Sequence, residues 1–259
     1  MSVGTYLDRN IHSLDRTGDF FADVGMGRYS DLSSVEKFGR NPDVDVGSED
    51  LWAGGGTWVG PTQARIHDIV SGSAADAAAG TGARTIRVFG LDANYALQQE
   101  DVTFNGTTNV PTVNSYTMIY RMTVLTAGSG GTNAGAITAT AQTDATVTAQ
   151  IIIGAGQTQL GVYQIPAGYT GYILRYGGST DGGGTTKVDI GLFCKPFGGA
   201  FNLKHNFTLR ATGTSAYAID LRFGVPVTEK TIVKLRATAD ANNNDVSGSF
   251  SILLRKLNA

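Results

Sequence analysis

The sequence predicts an all-β protein: one or two jelly-roll-like β-sandwiches, preceded by an extended N-terminal arm. The chain of 259 residues contains 35 Gly and only 16% charged residues, a composition typical of loop-rich β structure rather than of a helical bundle. From residue 57 onward, short apolar stretches alternate with clusters of Gly, Asn, Asp, Ser and Pro. Many short strands at close spacing, with almost no helical periodicity, are typical of sandwiches and barrels.

Residues 1–56 differ from the rest of the chain and predict the arm. They show no sustained period of 2 or 3.6, yet apolar side chains recur in them too often for a solvated disordered tail. Such an arm buries its aromatic side chains against the parent domain or, as we expect, mostly against a neighbouring subunit. A short helix around residues 32–38 is also compatible with the pattern. The predicted partner-binding anchors are Phe20, Phe21, Tyr29, Phe38 and Trp52.

The β region divides into a first layer or domain at 57–150 and a second at 151–259, which together could also form one continuous sandwich. Alternation is clearest in residues 231–239, where we expect Val233, Leu235 and Ala237 to face the core. Strands are predicted near 57–59, 63–70, 84–90, 97–105, 115–126, 135–141, 146–153, 158–165, 170–177, 187–195, 201–212, 217–223, 230–239 and 247–256.

Few residues suggest chemistry. His12, His67 and His205 are scattered, and no pair has metal-ligand spacing. The Gly-rich stretches at 128–131 and 154–156 lack the GK[ST] ending of phosphate loops and are interpreted as hairpin glycines. We therefore expect no enzyme, no catalytic site, no cofactor, no metal and no small-molecule substrate.

Two features have alternative interpretations. Cys194 lies in an apolar run, which favours a buried structural thiol over a reactive one. The oxygen-rich segment at 240–245 could wrap a calcium ion, but it lacks the bidentate Glu and the fixed Gly of an EF-hand loop. An Asn-rich hairpin turn is the favoured interpretation.

The charge distribution predicts contacts between the two ends of the chain, either within one subunit or between neighbouring subunits, and it does not predict a nucleic-acid partner. Residues 1–70 hold 6 Lys/Arg against 11 Asp/Glu, whereas residues 201–259 hold 8 against 4. The basic residues of the C-terminal part are dispersed in strand-like patterns, without the basic run of a nucleic-acid site. The first ten residues do not resemble a signal peptide, and no apolar stretch approaches 18 residues. Neither secretion nor membrane insertion is expected.

Several segments resemble a pattern found in structural proteins of tailed bacteriophages, notably those of marine bacteria and cyanobacteria. The resemblance covers about residues 35–255 and contains no catalytic motif. It rests on VEKFGRNPDVDVG (35–47), EDLWAGG (49–55), GARTIRVFGLD (82–92), NGTT (105–108), YRM (120–122), GQTQ (156–159), IPAGYTGY (165–172) and EKT (229–231).

The resemblance implies a virion structural protein that is assembled in the host cytoplasm. Its expected role is that of a capsid decoration or cement protein, which stabilises the phage head through contacts with the major capsid protein and with copies of itself. The resemblance favours a trimer. The alternative is a tail, baseplate or head-fibre component that binds a host surface receptor or glycan, for which an exposed aromatic cluster on loop tips would be expected.

Overall fold

The computed structural model describes residues 17–181, 186–211 and 215–257, and these are almost entirely β structure. The prediction of an all-β fold is confirmed. Among these residues, one short helix, α1 (Phe20–Gly25), precedes sixteen strands. The strands are β1 (Leu32–Val44), β2 (Gly47–Asp50), β3 (His67–Ser71), β4 (Ala83–Leu91), β5 (Leu97–Thr103), β6 (Val110–Pro111), β7 (Met118–Ala127), β8 (Ile137–Ala141), β9 (Thr146–Ile151), β10 (Val162–Gln164), β11 (Tyr169–Asp181), β12 (Thr186–Lys195), β13 (Asn202–Ala211), β14 (Ser215–Val227), β15 (Ile232–Ala239) and β16 (Asn244–Lys256).

Eight of these strands form a sandwich that we call the terminal sandwich, because it combines the first long strand with the last seven. Sheet I has the order β1-β16-β11-β14, and sheet II has the order β10-β15-β12-β13, with every pairing antiparallel. Numbered along the chain, sheet I joins the first, eighth, third and sixth of these strands, and sheet II joins the second, seventh, fourth and fifth. Two four-stranded sheets connected in this way form a jelly roll.

The core of the terminal sandwich follows from period-2 alternation. In β16, every second residue from Asn244 to Leu254 is buried, because alternate side chains of a strand point to opposite faces. In β15, Val233, Leu235 and Ala237 are fully buried in the core, as predicted.

Seven further strands, β3 to β9, form a second unit that we call the central sandwich, while the short strand β2 belongs to none of the four sheets. Its sheets have the orders β6-β3-β8-β9 and β5-β4-β7, and they enclose their own core, which includes Ile69, Ile86, Val88 and Met122. The chain leaves the terminal sandwich after β2 and returns to it at β10. The central sandwich is therefore an insertion between the first and second strands of the jelly roll.

A small apolar cluster joins the two sandwiches. It contains Trp52 and Trp58 from the outgoing connection, Met118 from β7, and Leu160 and Val162 from the returning chain. The two sandwiches thus have separate cores and share a packed junction.

The boundary of the predicted arm is corrected. Residues 32–44 are strand β1, which pairs with β16 from Leu32↔Arg255 onward, so this part of residues 1–56 belongs to the jelly roll. The short helix predicted at 32–38 is wrong because cross-strand pairing determines the structure there, and the helix lies instead at Phe20–Gly25. The strand predicted at 57–59 is also absent from the described structure, where these residues are irregular.

Candidate functional sites

The predicted arm anchors have different environments in the structure. Phe20 and Phe21 belong to α1, and Phe20 packs on the rings of Phe21 and Tyr29 at centroid distances of 5.4 and 5.5 Å. Phe21 remains 67% exposed, and Phe38 on β1 is partly exposed. Trp52 is only 6% exposed because it packs in the junction of its own chain, which corrects its prediction as a partner-binding anchor.

Helix α1 is short but has a defined position. Asp19 caps it, since its Oδ1 accepts hydrogen bonds from the backbone N–H of Phe21 at 2.9 Å and of Ala22 at 3.1 Å. Beside the helix lies a cavity of about 550 Å³, which we call the sheet I groove. Its apolar walls are Phe21, Val24, Leu174, Leu221 and Leu253, and its charged walls are Glu36, Arg175, Asp220 and Arg222.

Strand β14 bulges outward next to this groove. Ile173 of β11 pairs with Val225 and Arg175 pairs with Asp220, so residues 221–224 lie opposite one residue of β11. Gly224 has a φ of +64°, a conformation that glycine adopts without strain. The bulge carries Phe223, whose side chain is 92% exposed. A nearly fully exposed phenylalanine on a sheet edge is a candidate contact with another protein.

A second cavity, which we call the junction cleft, lies where the two sandwiches meet and measures about 520 Å³. Residues from both sandwiches and from the connection between them line it. Among them are Trp58 before β3, Tyr95 between β4 and β5, Gln164 of β10, Lys195 of β12, Phe197 and Phe201 between β12 and β13, and Lys230 between β14 and β15.

Three side chains form an aromatic-cation rim on the junction cleft. The Lys230 ammonium lies 5.2 Å from the ring centroid of Tyr95 and 5.3 Å from that of Phe197. The two rings are 5.6 Å apart and nearly perpendicular, at 81°. Phe197 and Tyr95 provide the aromatic loop-tip cluster that the sequence did not reveal.

The backbone holds this rim in place. Tyr95 and Lys230 both have positive φ, at 65° and 61°, a region that non-glycine residues rarely occupy. The Tyr95 carbonyl accepts a hydrogen bond from Ala167 N–H at 2.9 Å, which links the two sandwiches. Gln164 Nε2 donates to the Lys230 carbonyl at 2.9 Å.

A buried ionic cluster lies next to the cleft. Asp50 is fully buried and accepts from Lys234 Nζ at 2.6 Å, from Arg236 Nε at 2.9 Å and from Trp58 N–H at 2.9 Å. The Lys234 ammonium also lies 4.1 Å from the ring centroid of Phe201. Burial lowers the pKa of Lys234, although Asp50 opposes that shift. Lys234 and Arg236 therefore share one carboxylate.

A second buried lysine lies between the sandwiches. Lys37 of β1 is buried, and its ammonium donates a hydrogen bond to the Tyr120 carbonyl of β7. Burial lowers the pKa of Lys37 to about 7, and the neighbouring Arg121 charge adds to this shift. The sequence pattern did not identify either lysine as buried.

The other residues considered in the sequence are not brought together. His67 is buried in the central sandwich, where burial lowers its pKa to about 4, whereas the exposed His205 on β13 faces Tyr176 Oη at 2.6 Å. His12 lies outside the described residues. Cys194 is buried in the jelly-roll core, and burial raises its pKa to about 11, which confirms the interpretation as a structural thiol.

The oxygen-rich segment at 240–245 uses its side chains within the protein. Asn242 Oδ1 accepts from Val46 N–H at 2.9 Å, and Asp240 Oδ1 accepts from Lys187 N–H at 2.8 Å. Asp245 forms an ion pair with Arg40 on β1. These contacts favour a turn over a calcium loop, but the turn is not a hairpin, because β15 belongs to sheet II and β16 to sheet I and the two strands do not pair with each other. Within the described residues, no group of three or more His, Cys, Asp or Glu has the geometry to hold a metal ion.

Comparison with known proteins gives no family. No family model matches the chain, and no curated protein matches it. A structure of the infectious bursal disease virus Gt strain is 11% identical with a TM-score of 0.22, over 88% of this chain and 77% of that chain. The VP2 subviral particle of the same virus is 12% identical with a TM-score of 0.23, over 88% and 72%. Such TM-scores are too low to assign a common fold. No helix in the described part of the chain is long and apolar enough to cross a membrane.

Proposed function

We propose that this chain is a virion structural protein, a decoration or cement protein of a phage head. It would act in the virion by contact area, without a catalytic site, and its partners would be the major capsid protein and copies of itself. The observation that carries the proposal is the exposed Phe223 bulge beside the sheet I groove. Large exposed apolar features beside charged rims are typical of protein-protein interfaces.

The jelly-roll strand order and the sequence resemblance support this function. Jelly rolls are frequent in viral capsid and lectin domains, although a fold alone does not define a function. The segments that resemble tailed-phage structural proteins occur in both sandwiches.

The chemistry of the groove fits a second copy of the same chain. Its apolar walls match an inserted aromatic ring, and its rim carries both signs of charge, from Glu36 and Asp220 against Arg175 and Arg222. Phe223 of one subunit would enter the groove of the next, which in a closed ring gives the trimer that the resemblance favours.

The first test replaces the exposed phenylalanine. We expect wild-type protein at micromolar concentration to sediment as a trimer, either alone or when released from particles. Phe223→Ser should weaken association by about 30-fold or more, because aromatic anchors in interface centres contribute about 2 kcal/mol or more. Analytical ultracentrifugation measures the assembly, and cryo-electron microscopy of particles measures occupancy.

The matched control is Phe197→Ser, which removes another exposed phenylalanine from the junction cleft. This variant should assemble and occupy heads like wild type. Equal assembly of Phe223→Ser and wild type would refute the interface, and a stable dimer would refute the trimer. Particles without the protein should lose their genome at a lower temperature, and unchanged retention would contradict the cement role.

A further inference from the structure

The junction cleft has the features of a ligand site, and binding there would be independent of the proposed role in the virion. We propose that the junction cleft binds an acidic saccharide, with Lys195 and Lys230 pairing with its carboxylate and Tyr95 and Phe197 contacting its sugar ring. Three features of the cleft argue for this class of ligand: its charge, its backbone conformation and the geometry of its aromatic rings.

The charge of the cleft favours an anion. Among the described residues, neither Lys195 nor Lys230 forms an ion pair with a carboxylate. None of the described residues that line the cleft carries a carboxylate. The cleft is therefore cationic in a chain whose net charge is −2. Ammonium groups form strong charge-assisted hydrogen bonds with carboxylates.

The backbone of the cleft is strained where its side chains meet. Tyr95 and Lys230 are two of only five non-glycine residues with positive φ in the described chain, and their side chains are in contact although they belong to different sandwiches. Strained conformations persist where surrounding structure enforces them, and they concentrate at ligand sites.

The geometry of the rings favours a sugar over a nucleobase. A base stacks between parallel aromatic faces, but the Tyr95 and Phe197 rings are inclined at 81°, so they form no parallel slot. The electron-rich ring faces suit the C–H groups of a sugar. Thr62, Gln63 and Thr117 line the same cleft and supply partners for hydroxyl groups. The volume of about 520 Å³ is in the usual range for small-molecule sites.

Isothermal titration calorimetry on the isolated full-length protein tests the proposal. The probes are 3′-sialyllactose and digalacturonate, with lactose as the neutral comparison. We expect saturable binding of at least one acidic saccharide and at least about tenfold weaker binding of lactose, since one charged contact corresponds to about a factor of ten or more. Trp58 lines the cleft, so its fluorescence should change with the same saturation curve.

Lys195→Gln, Lys230→Gln and Phe197→Ala should each weaken binding of the acidic saccharide by about tenfold. The matched control is Lys187→Gln, which removes the same charge from an exposed position of β12 outside the cleft lining. If Lys230→Gln lowers the melting temperature, its affinity loss could reflect a change in structure. The affinity of Lys195→Gln then tests the proposal, because Lys195 is not in a positive-φ turn. Phe223→Ser should bind the saccharide normally, which separates this site from the proposed assembly interface.

Four results would overturn the proposal. The first is no saccharide binding at all, and the second is binding of lactose as tight as that of the acidic saccharides. The third is an equal loss of affinity in Lys187→Gln and Lys195→Gln. The fourth is tighter binding of adenosine monophosphate or of an acidic peptide than of either acidic saccharide, which would assign the cleft to another ligand class.

Discussion

At the residue scale, Asp76 shows how one carboxylate organises the loops of the central sandwich. It is fully buried and accepts hydrogen bonds from Ser71 Oγ at 2.5 Å and from the backbone N–H of Ala83, Ala134 and Gly135 at 2.6, 2.8 and 2.9 Å. Burial by itself raises the pKa of Asp76, but the four hydrogen bonds outweigh burial and hold the pKa below its ordinary value.

Replacing Asp76 should therefore destabilise the fold. In Asp76→Asn, an amide NH₂ group takes the place of one carboxylate oxygen and faces N–H donors with which it cannot form a hydrogen bond. We therefore expect a loss of about 2–4 kcal/mol in the free energy of unfolding. Because the folded pKa is depressed, the stabilisation is present above the unfolded pKa of about 3.9 and is lost as the pH falls through the folded pKa. Urea unfolding at several pH values measures both effects.

The control for this experiment is Asp101→Asn, which changes an exposed carboxylate of β5 that is 2.7 Å from Arg87 and lies outside the sheet I groove. Exposed ion pairs contribute little, so its unfolding midpoint should match that of wild type. A wild-type midpoint for Asp76→Asn would show that the hydrogen bonds to Asp76 do not stabilise the fold.

At the element scale, β15 is a strand that can be predicted from one sequence, and β1 is a strand that cannot. β15 was predicted because its apolar alternation is clear, yet Lys234 on its other face is also buried, against Asp50. β1 was missed because Gly39 and Pro42 interrupt it and most of its first half faces solvent. Its identity as a strand comes from pairing with β16, about two hundred residues away in the chain, and local patterns do not contain such long-range pairing.

The candidate sites were missed for the same reason. Tyr95, Phe197 and Lys230 lie in three separate turns of the sequence, and only the jelly-roll topology and the insertion bring these turns to one cleft. Phe223 is on a predicted strand, but the bulge that exposes it follows from the register with β11.

Gly39 tests the close packing of β1. A Cβ atom at Gly39 would lie 2.0 Å from the Leu51 carbonyl oxygen and 2.4 Å from the Gly161 nitrogen. Both are backbone atoms, so the strand itself would have to move. We expect Gly39→Ala to destabilise the protein by about 1–3 kcal/mol, measured by thermal or urea unfolding.

Gly25→Ala is the matched control for this substitution. A Cβ atom at Gly25 has no heavy atom within 4 Å, and its φ is not positive. Alanine also favours the helical conformation, so this variant should be neutral or slightly stabilised. Equal stability of the two alanine variants would contradict the close approach of β1 to residues 51 and 161.

At the scale of the whole molecule, the contact between the sandwiches should respond to pH through Lys37. Burial lowers the pKa of Lys37 to about 7, while an unfolded lysine titrates near 10.4. Between these values the unfolded chain binds one more proton than the folded chain, so stability rises with pH by up to about 1.4 kcal/mol per unit from this residue. This gain is lost as the pH falls from about 10 to about 7, and below about 7 Lys37 is charged in both states and adds no further pH dependence.

Lys37→Met removes the titrating group and keeps the apolar stem. We expect this variant to be more stable than wild type near pH 7 and to lose the Lys37 part of the pH dependence between pH 7 and 10. Lys256→Met, at an exposed position of β16, should keep that dependence. A Lys37→Met profile parallel to that of wild type would show that Lys37 is not buried uncharged between the sandwiches.

The pairing of β1 with β16 also determines how the molecule responds to mechanical load. Leu32 lies opposite Arg255, and Lys256 N–H donates to the Asp31 carbonyl at 2.8 Å, so the outer ends of these two strands are adjacent. A force that separates residues 31 and 256 acts on one hydrogen-bonded pair at a time and opens the ladder like a zipper, starting at Leu32 and Arg255. A force that is applied at the surface of the central sandwich reaches the jelly roll through two neighbouring connections instead. The direction of the load therefore decides whether β1 peels away first or the junction between the sandwiches is strained first.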